Sequence, residues 1–178
     1  MATTFELIET KTIATTSVST ITFSSIPGTY QDLKLYIRAQ AQSANNYLDL
    51  RMRFNGDTST QYGQGEITGT GASSFSSAFY NYSNGFINIP LQGTANASVT
   101  YATYEIDLLA YSTAGRVKMG TGNATLSDIT NPATNLQFRL QDYLWDNTSS
   151  AITSITFFAS TDVFRVGSVF SLYGIKKS

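Results

Sequence analysis

Apolar and polar residues alternate with a period of two along most of this chain, and that alternation restricts the fold more than any other feature. Leu33, Leu35, Ile37 and Ala39 alternate with Lys34, Tyr36, Arg38 and Gln40. Leu48, Leu50, Met52 and Phe54 alternate with Tyr47, Asp49, Arg51 and Arg53. Successive side chains of a strand point to opposite faces, so each run buries one face and wets the other. No amphipathic helical stripe of any length competes. The turn-rich residues 41–46 predict that the two runs form an antiparallel hairpin with Gln40 against Tyr47. That register sets Arg38 opposite Asp49 and Tyr36 opposite Arg51. Further strands are expected near 3–10, 18–24, 85–92, 98–110, 115–123, 135–142, 151–159 and 168–176. Strands at this spacing, separated by Gly, Asn, Ser and Pro clusters, predict an all-β fold: an antiparallel β-sandwich, jelly-roll-like, with one domain over 1–178.

The segment 55–85 stands apart, being dense in Gly, Ser, Thr, Tyr and Asn. A connection this long inside a compact domain is either functional or hides short strands. Ser74–Ser83, with Phe75, Phe79, Tyr80 and Tyr82, reads as a strand or as an aromatic loop packed on the body. The strands Gly85–Gln92 and Ile152–Phe158 carry apolar residues on both faces, so a loop of the same chain (the 55–85 segment) or a neighbouring subunit is expected to cover them.

Composition narrows the function. The chain has 178 residues, enough for a core without staples, and 11 Tyr and 11 Phe to fill it. It contains no Cys and no His, which removes thiolate nucleophiles, Ser-His-Asp constellations and histidine or cysteine metal sites. The formal net charge of −1 gives no field towards nucleic acid. No apolar run is long enough to span a membrane, and Met1–Thr12 has neither the basic nor the apolar region of a signal peptide. The expectation is a protein that is not an enzyme, with no catalytic, metal or cofactor residues.

Three groups of residues remain as candidates. Lys34, Arg38, Arg51 and Arg53 collect on the outer face of the expected hairpin, either as a solvated face or as a basic partner-docking face. Tyr143, Trp145, Asp146 and Asn147 form a candidate ligand loop whose ring, carboxylate and amide suit sugar stacking or calcium; Trp145 equally suits capping one end of a sandwich. Glu105 and Asp107 share a strand face, as an acid/base or calcium pair would. Pairing Leu109 with Arg116 would instead set Asp107 against Lys118 as an ion pair.

Scattered motifs add a resemblance. Phe5-Glu6-Leu7-Ile8, Ile21-Thr22-Phe23-Ser24-Ser25-Ile26-Pro27, Thr29-Tyr30-Gln31-Asp32-Leu33, Arg53-Phe54-Asn55-Gly56-Asp57 and Gly167-Ser168-Val169-Phe170-Ser171-Leu172-Tyr173-Gly174-Ile175-Lys176 carry it. Together they resemble small virion structural proteins of tailed bacteriophages, including those of cyanobacteria. The motifs cover both ends and the first expected hairpin, while about 58–130 carries none. They are strand and turn sequences and transfer no binding residue. The resemblance implies a capsid cement or decoration protein, or else a tail fibre or receptor-binding, carbohydrate-binding adhesin. A chain with no shaft-forming segment favours the cement role. The expected partners are then the major capsid protein and further copies of the chain, as a homotrimer. The place is the capsid surface of the virion, after synthesis in the host cytoplasm.

Overall fold

The runs of alternation become strands because each hides one apolar face. The computed structural model describes residues 4–45, 47–70, 74–82, 85–94, 101–126 and 136–176. In chain order the strands are β1 (Thr4–Thr12), β2 (Thr20–Phe23), β3 (Asp32–Ala39), β4 (Tyr47–Phe54), β5 (Tyr62–Thr70), β6 (Ser74–Tyr82), β7 (Ile87–Gln92), β8 (Ala102–Leu109), β9 (Lys118–Leu126), β10 (Gln137–Trp145), β11 (Ile155–Ala159) and β12 (Val169–Lys176). The strand expected from 98 begins here at Ala102; residues 98–100 lie outside the described residues.

Two antiparallel sheets result, an eight-stranded one in the order β1-β12-β3-β8-β9-β10-β5-β6 and a four-stranded one in the order β2-β11-β4-β7. Strands β1, β12, β3 and β8 facing β2, β11, β4 and β7 are the two wrapped Greek keys of a jelly roll. Two hairpins interrupt the wrap. The segment 55–85 contributes β5 and β6 between β4 and β7, and β9 and β10 fall between β8 and β11. Strand β10 pairs with β5 from Gln137↔Thr70 to Trp145↔Tyr62, so the two hairpins extend the large sheet together.

The expected hairpin of 33–40 with 47–54 does not form. Strand β3 pairs with β12 and β8, setting Tyr36 opposite Glu105 and Arg38 opposite Thr103. Strand β4 pairs with β11 and β7 in the other sheet, setting Arg51 opposite Phe158 and Asn88. Both strands have a strongly apolar face, and placing them in opposite layers lets Leu33, Leu35 and Ile37 share one core with Leu50, Met52 and Phe54. The connection crosses the end of the sandwich, where Ala41 bridges to Phe164.

Aromatic rings fill the core. Phe157 meets Phe170 at 5.6 Å between centroids, and Phe164 meets Phe170 at 5.1 Å. At one end Trp145 packs on Phe54 at 5.6 Å and on Tyr62 at 6.4 Å. Its indole N–H donates to Asp57 Oδ2 at 2.7 Å, so the one Trp is buried with its polar atom satisfied.

Strand β7 ends the small sheet and packs against β5 and β9. Its outer backbone edge is closed by side chains of the large sheet. Gln64 Oε1 accepts the Asn88 N–H at 3.1 Å, Gln141 Nε2 donates to the Asn88 carbonyl at 3.3 Å, and the Tyr104 hydroxyl donates to the Pro90 carbonyl. Past β7 the inner side of the overhanging strands is polar. Glu66 pairs with Arg139 at 3.0 Å and accepts from Gln141 at 2.8 Å. In β10 the odd positions from Gln137 to Trp145 therefore turn inward, and Phe138 and Leu140 turn out.

Two outcomes follow from the Trp145–Asp57 contact. Trp145→Ala should lower unfolding stability by about 3–5 kcal/mol, measured by denaturant titration. Burial pushes the Asp57 carboxyl up, but the Ser59 backbone N–H, the Trp145 indole and Arg53 outweigh it and hold it below the ordinary range. Its stabilisation is then present above the unfolded pKa of about 3.9 and is lost as pH falls through the lower folded value. Asp57→Asn should flatten that acid limb.

Candidate functional site: the outer face of the large sheet

The register of β8, β9, β10, β5 and β6 lays the outward residues in rows. One row runs Asp107, Thr121, Asp142, Gly65; the next runs Glu105, Asn123, Leu140, Ile67, Ser77; a third runs Thr103, Thr125, Phe138, Gly69, Phe75. Gly65 and Gly69 offer no side chain, and a groove of about 430 Å³ opens over the first two rows, between the carboxylates of β8 and the apolar side chains of β10 and β5. The Phe75 ring lies beside Gly69, where a Cβ would come within 3.1 Å of it.

At the β8 side of the groove sits Lys34 of β3, nearly buried at 9% exposure. Its ammonium bonds both carboxylate oxygens of Asp107 at 3.0 Å and also contacts Glu105. Burial pushes the ammonium down, while Glu105 and Asp107 more than offset this and hold it above the ordinary lysine value. Glu105 and Asp107 do share a strand face, as alternation predicts. Their cation is Lys34 and not Lys118, because Asp107 stands opposite Thr121 and Leu109 opposite Met119. Lys118 turns inward and donates to the carbonyls of Arg116 and Asn147 at 2.8 and 3.2 Å. Burial lowers its pKa. Among the described residues, no group of three or more Asp or Glu side chains is arranged to hold a metal ion.

The four cations expected on one docking face are divided between the sheets. Lys34 and Arg38 lie on the outer side of the large sheet, and Arg51 and Arg53 on the outer side of the small one. Each arginine covers a ring: Arg38 over Tyr101 at 4.2 Å, Arg51 over Phe86 at 4.3 Å, Arg53 over Phe158 at 4.9 Å. Phe86 and Phe158 meet edge to face at 5.9 Å. Tyr101, Phe86 and Phe158 are thus each covered by an arginine of the same chain.

The candidate ligand loop is also redistributed. Tyr143 and Trp145 are inward residues of β10 and are buried. The Tyr143 hydroxyl donates to Gln141 Oε1 at 2.9 Å, and burial pushes its pKa well up. Asp146 and Asn147 form the following turn, in which Asn147 Oδ1 accepts the N–H groups of Ser149 and Ser150, both at 3.0 Å. Trp145 closes one end of the core, which is the capping role.

Ile67, Phe75, Phe138 and Leu140 are not among the site candidates that the sequence offers. One signal was available: if Tyr143 and Trp145 go inward, period two sends 138 and 140 outward.

No family model matches this chain, and no curated protein resembles it in sequence. Among solved structures, galectin LEC-6 of Caenorhabditis elegans is similar at 9% identity and a TM-score of 0.34, over 94% of this chain and 96% of that one.

Lys34→Ala leaves Glu105 and Asp107 without their cation and should lower stability by about 1–2 kcal/mol. Adding Asp107→Asn to that variant should recover part of the loss in a double-mutant cycle. Because the folded lysine pKa is raised, the wild-type contribution is complete below the ordinary lysine value and lost as pH climbs through the folded one.

Proposed function

We propose that this chain is a non-enzymatic structural module of a phage particle, a cement or decoration protein that docks on the outer surface of the major capsid protein. The observation that carries the reading is the outer face of the extended sheet. Phe75 is 82% exposed, and Ile67, Phe138 and Leu140 are each about half exposed on adjoining strands. An apolar patch beside the polar and acidic residues Asn123, Asp142 and Glu105 has the make-up of a protein-binding surface. The phage-type motifs at both ends support the particle assignment. Absence of cysteine makes assembly independent of redox compartment, and a net charge of −1 leaves little repulsion among many closely packed copies. The groove carboxylates Glu105 and Asp107 are held by Lys34, a role that needs no chemistry.

A second reading, a carbohydrate-binding adhesin of the tail, is favoured by the groove itself. Asn123, Asp142 and Glu105 offer hydrogen-bonding groups beside the side-chain-free Gly65.

Capsids stripped of the protein should retain the wild-type chain on co-sedimentation and lose the Phe75→Asp, Leu140→Asp variant by about thirtyfold or more in affinity. Labelled antibody on intact virions should decorate the capsid. Labelling confined to the tail tip, with binding on a glycan array that is lost in Asp142→Ala, would overturn the cement reading in favour of the adhesin.

A further inference from the structure

We infer that the free edge of β6 is a self-association surface, on which two copies pair as antiparallel strands and join their large sheets into one. The inference does not depend on the capsid reading.

Four strands end the two sheets, and three of these edges are protected. Strand β1 carries charges, with Glu9 paired to Lys11 at 2.7 Å and Glu6 paired to Lys176, and its register shifts between Leu7 and Glu9. Strand β2 has only four residues. The edge of β7 is closed by Gln64, Gln141 and Tyr104. These are the devices that keep natural sheet edges from pairing with other chains. Strand β6 has none of them. It runs for nine residues, Ser74–Tyr82, without charge, proline or bulge, in unbroken register with β5. Among the described residues no strand lies beyond it.

The composition of β6 suits its own copy. Its first half is mostly serine, and its second half holds Phe79, Tyr80 and Tyr82. An antiparallel register centred on Ala78 sets Ser77 against Phe79, Ser76 against Tyr80 and Ser74 against Tyr82 of the second copy. A small residue then meets a large one at each of these positions, and no like charges oppose. Residues paired in this register share a face, so the apolar outer patches of the two copies fall on the same side of the joined sheet. The interface is isologous and closes at two.

The absence of cysteine makes a clean test possible. Sedimentation of the wild-type chain across the micromolar range should show a monomer–dimer equilibrium. Ser76→Lys with Ser77→Lys, both at exposed positions, should weaken the dimer about tenfold or more while leaving the thermal midpoint near wild type. Ala78→Cys should cross-link to a disulfide dimer on mild oxidation, and Thr10→Cys, on β1 at the opposite edge of the large sheet, should not. A wild-type chain that stays monomeric throughout would overturn the inference. So would a trimer, a dimer indifferent to the lysine pair, or equal cross-linking by the two cysteine variants.

Discussion

The large sheet has twice as many strands as the small one, and the placement of side chains elsewhere depends on that mismatch. Where the jelly-roll strands face each other, both inner faces are mostly apolar. Beyond β7 the middle of β5 and β10 has no apolar layer to meet, so there the inner side holds hydrogen-bonding groups. Glu66, Arg139, Gln141 and Gln64 pair among themselves and with the bare backbone of β7. A buried polar group without a partner is costly, and an unpaired strand edge invites association, so one set of side chains answers both problems. The apolar half of the alternation in β10 is then left to the outside.

The two outer faces differ for the same reason. On the small sheet, Arg51 and Arg53 lie over Phe86 and Phe158, which removes the exposed rings and occupies the guanidinium groups. On the large sheet, the β8 side is neutralised by Lys34 between Glu105 and Asp107, while among the described residues no cation lies over the exposed rings of Phe75 and Phe138. One face is closed and the other remains open to a partner. The assembly role proposed above rests on that asymmetry, with Glu105 and Asp107 held by Lys34.

Period two, together with the doubly apolar runs, was enough to locate β1 to β4 and β7 to β12, because each is bounded by turn residues. It also placed Glu105 and Asp107 on one face and allowed Trp145 to cap the core. The strand in Ser74–Ser83 was one of two readings, and its pairing with β5 settles it. Partnership was not legible. Strands β3 and β4 are adjacent in sequence with matching alternation, and nothing local distinguishes a hairpin from a crossing between layers. That choice depends on where β8, β11 and β12 lie, and those strands are supplied by residues far along the chain. The same non-local pairing divided Lys34 and Arg38 from Arg51 and Arg53, and gave Asp107 to Lys34 in place of Lys118. By itself the sequence determined most of the strands, though not β5, and which of their residues share a face, since both follow from local backbone geometry. Only the tertiary structure decided which face is inside, because that depends on what the opposite layer offers, and past β7 it offers no apolar surface.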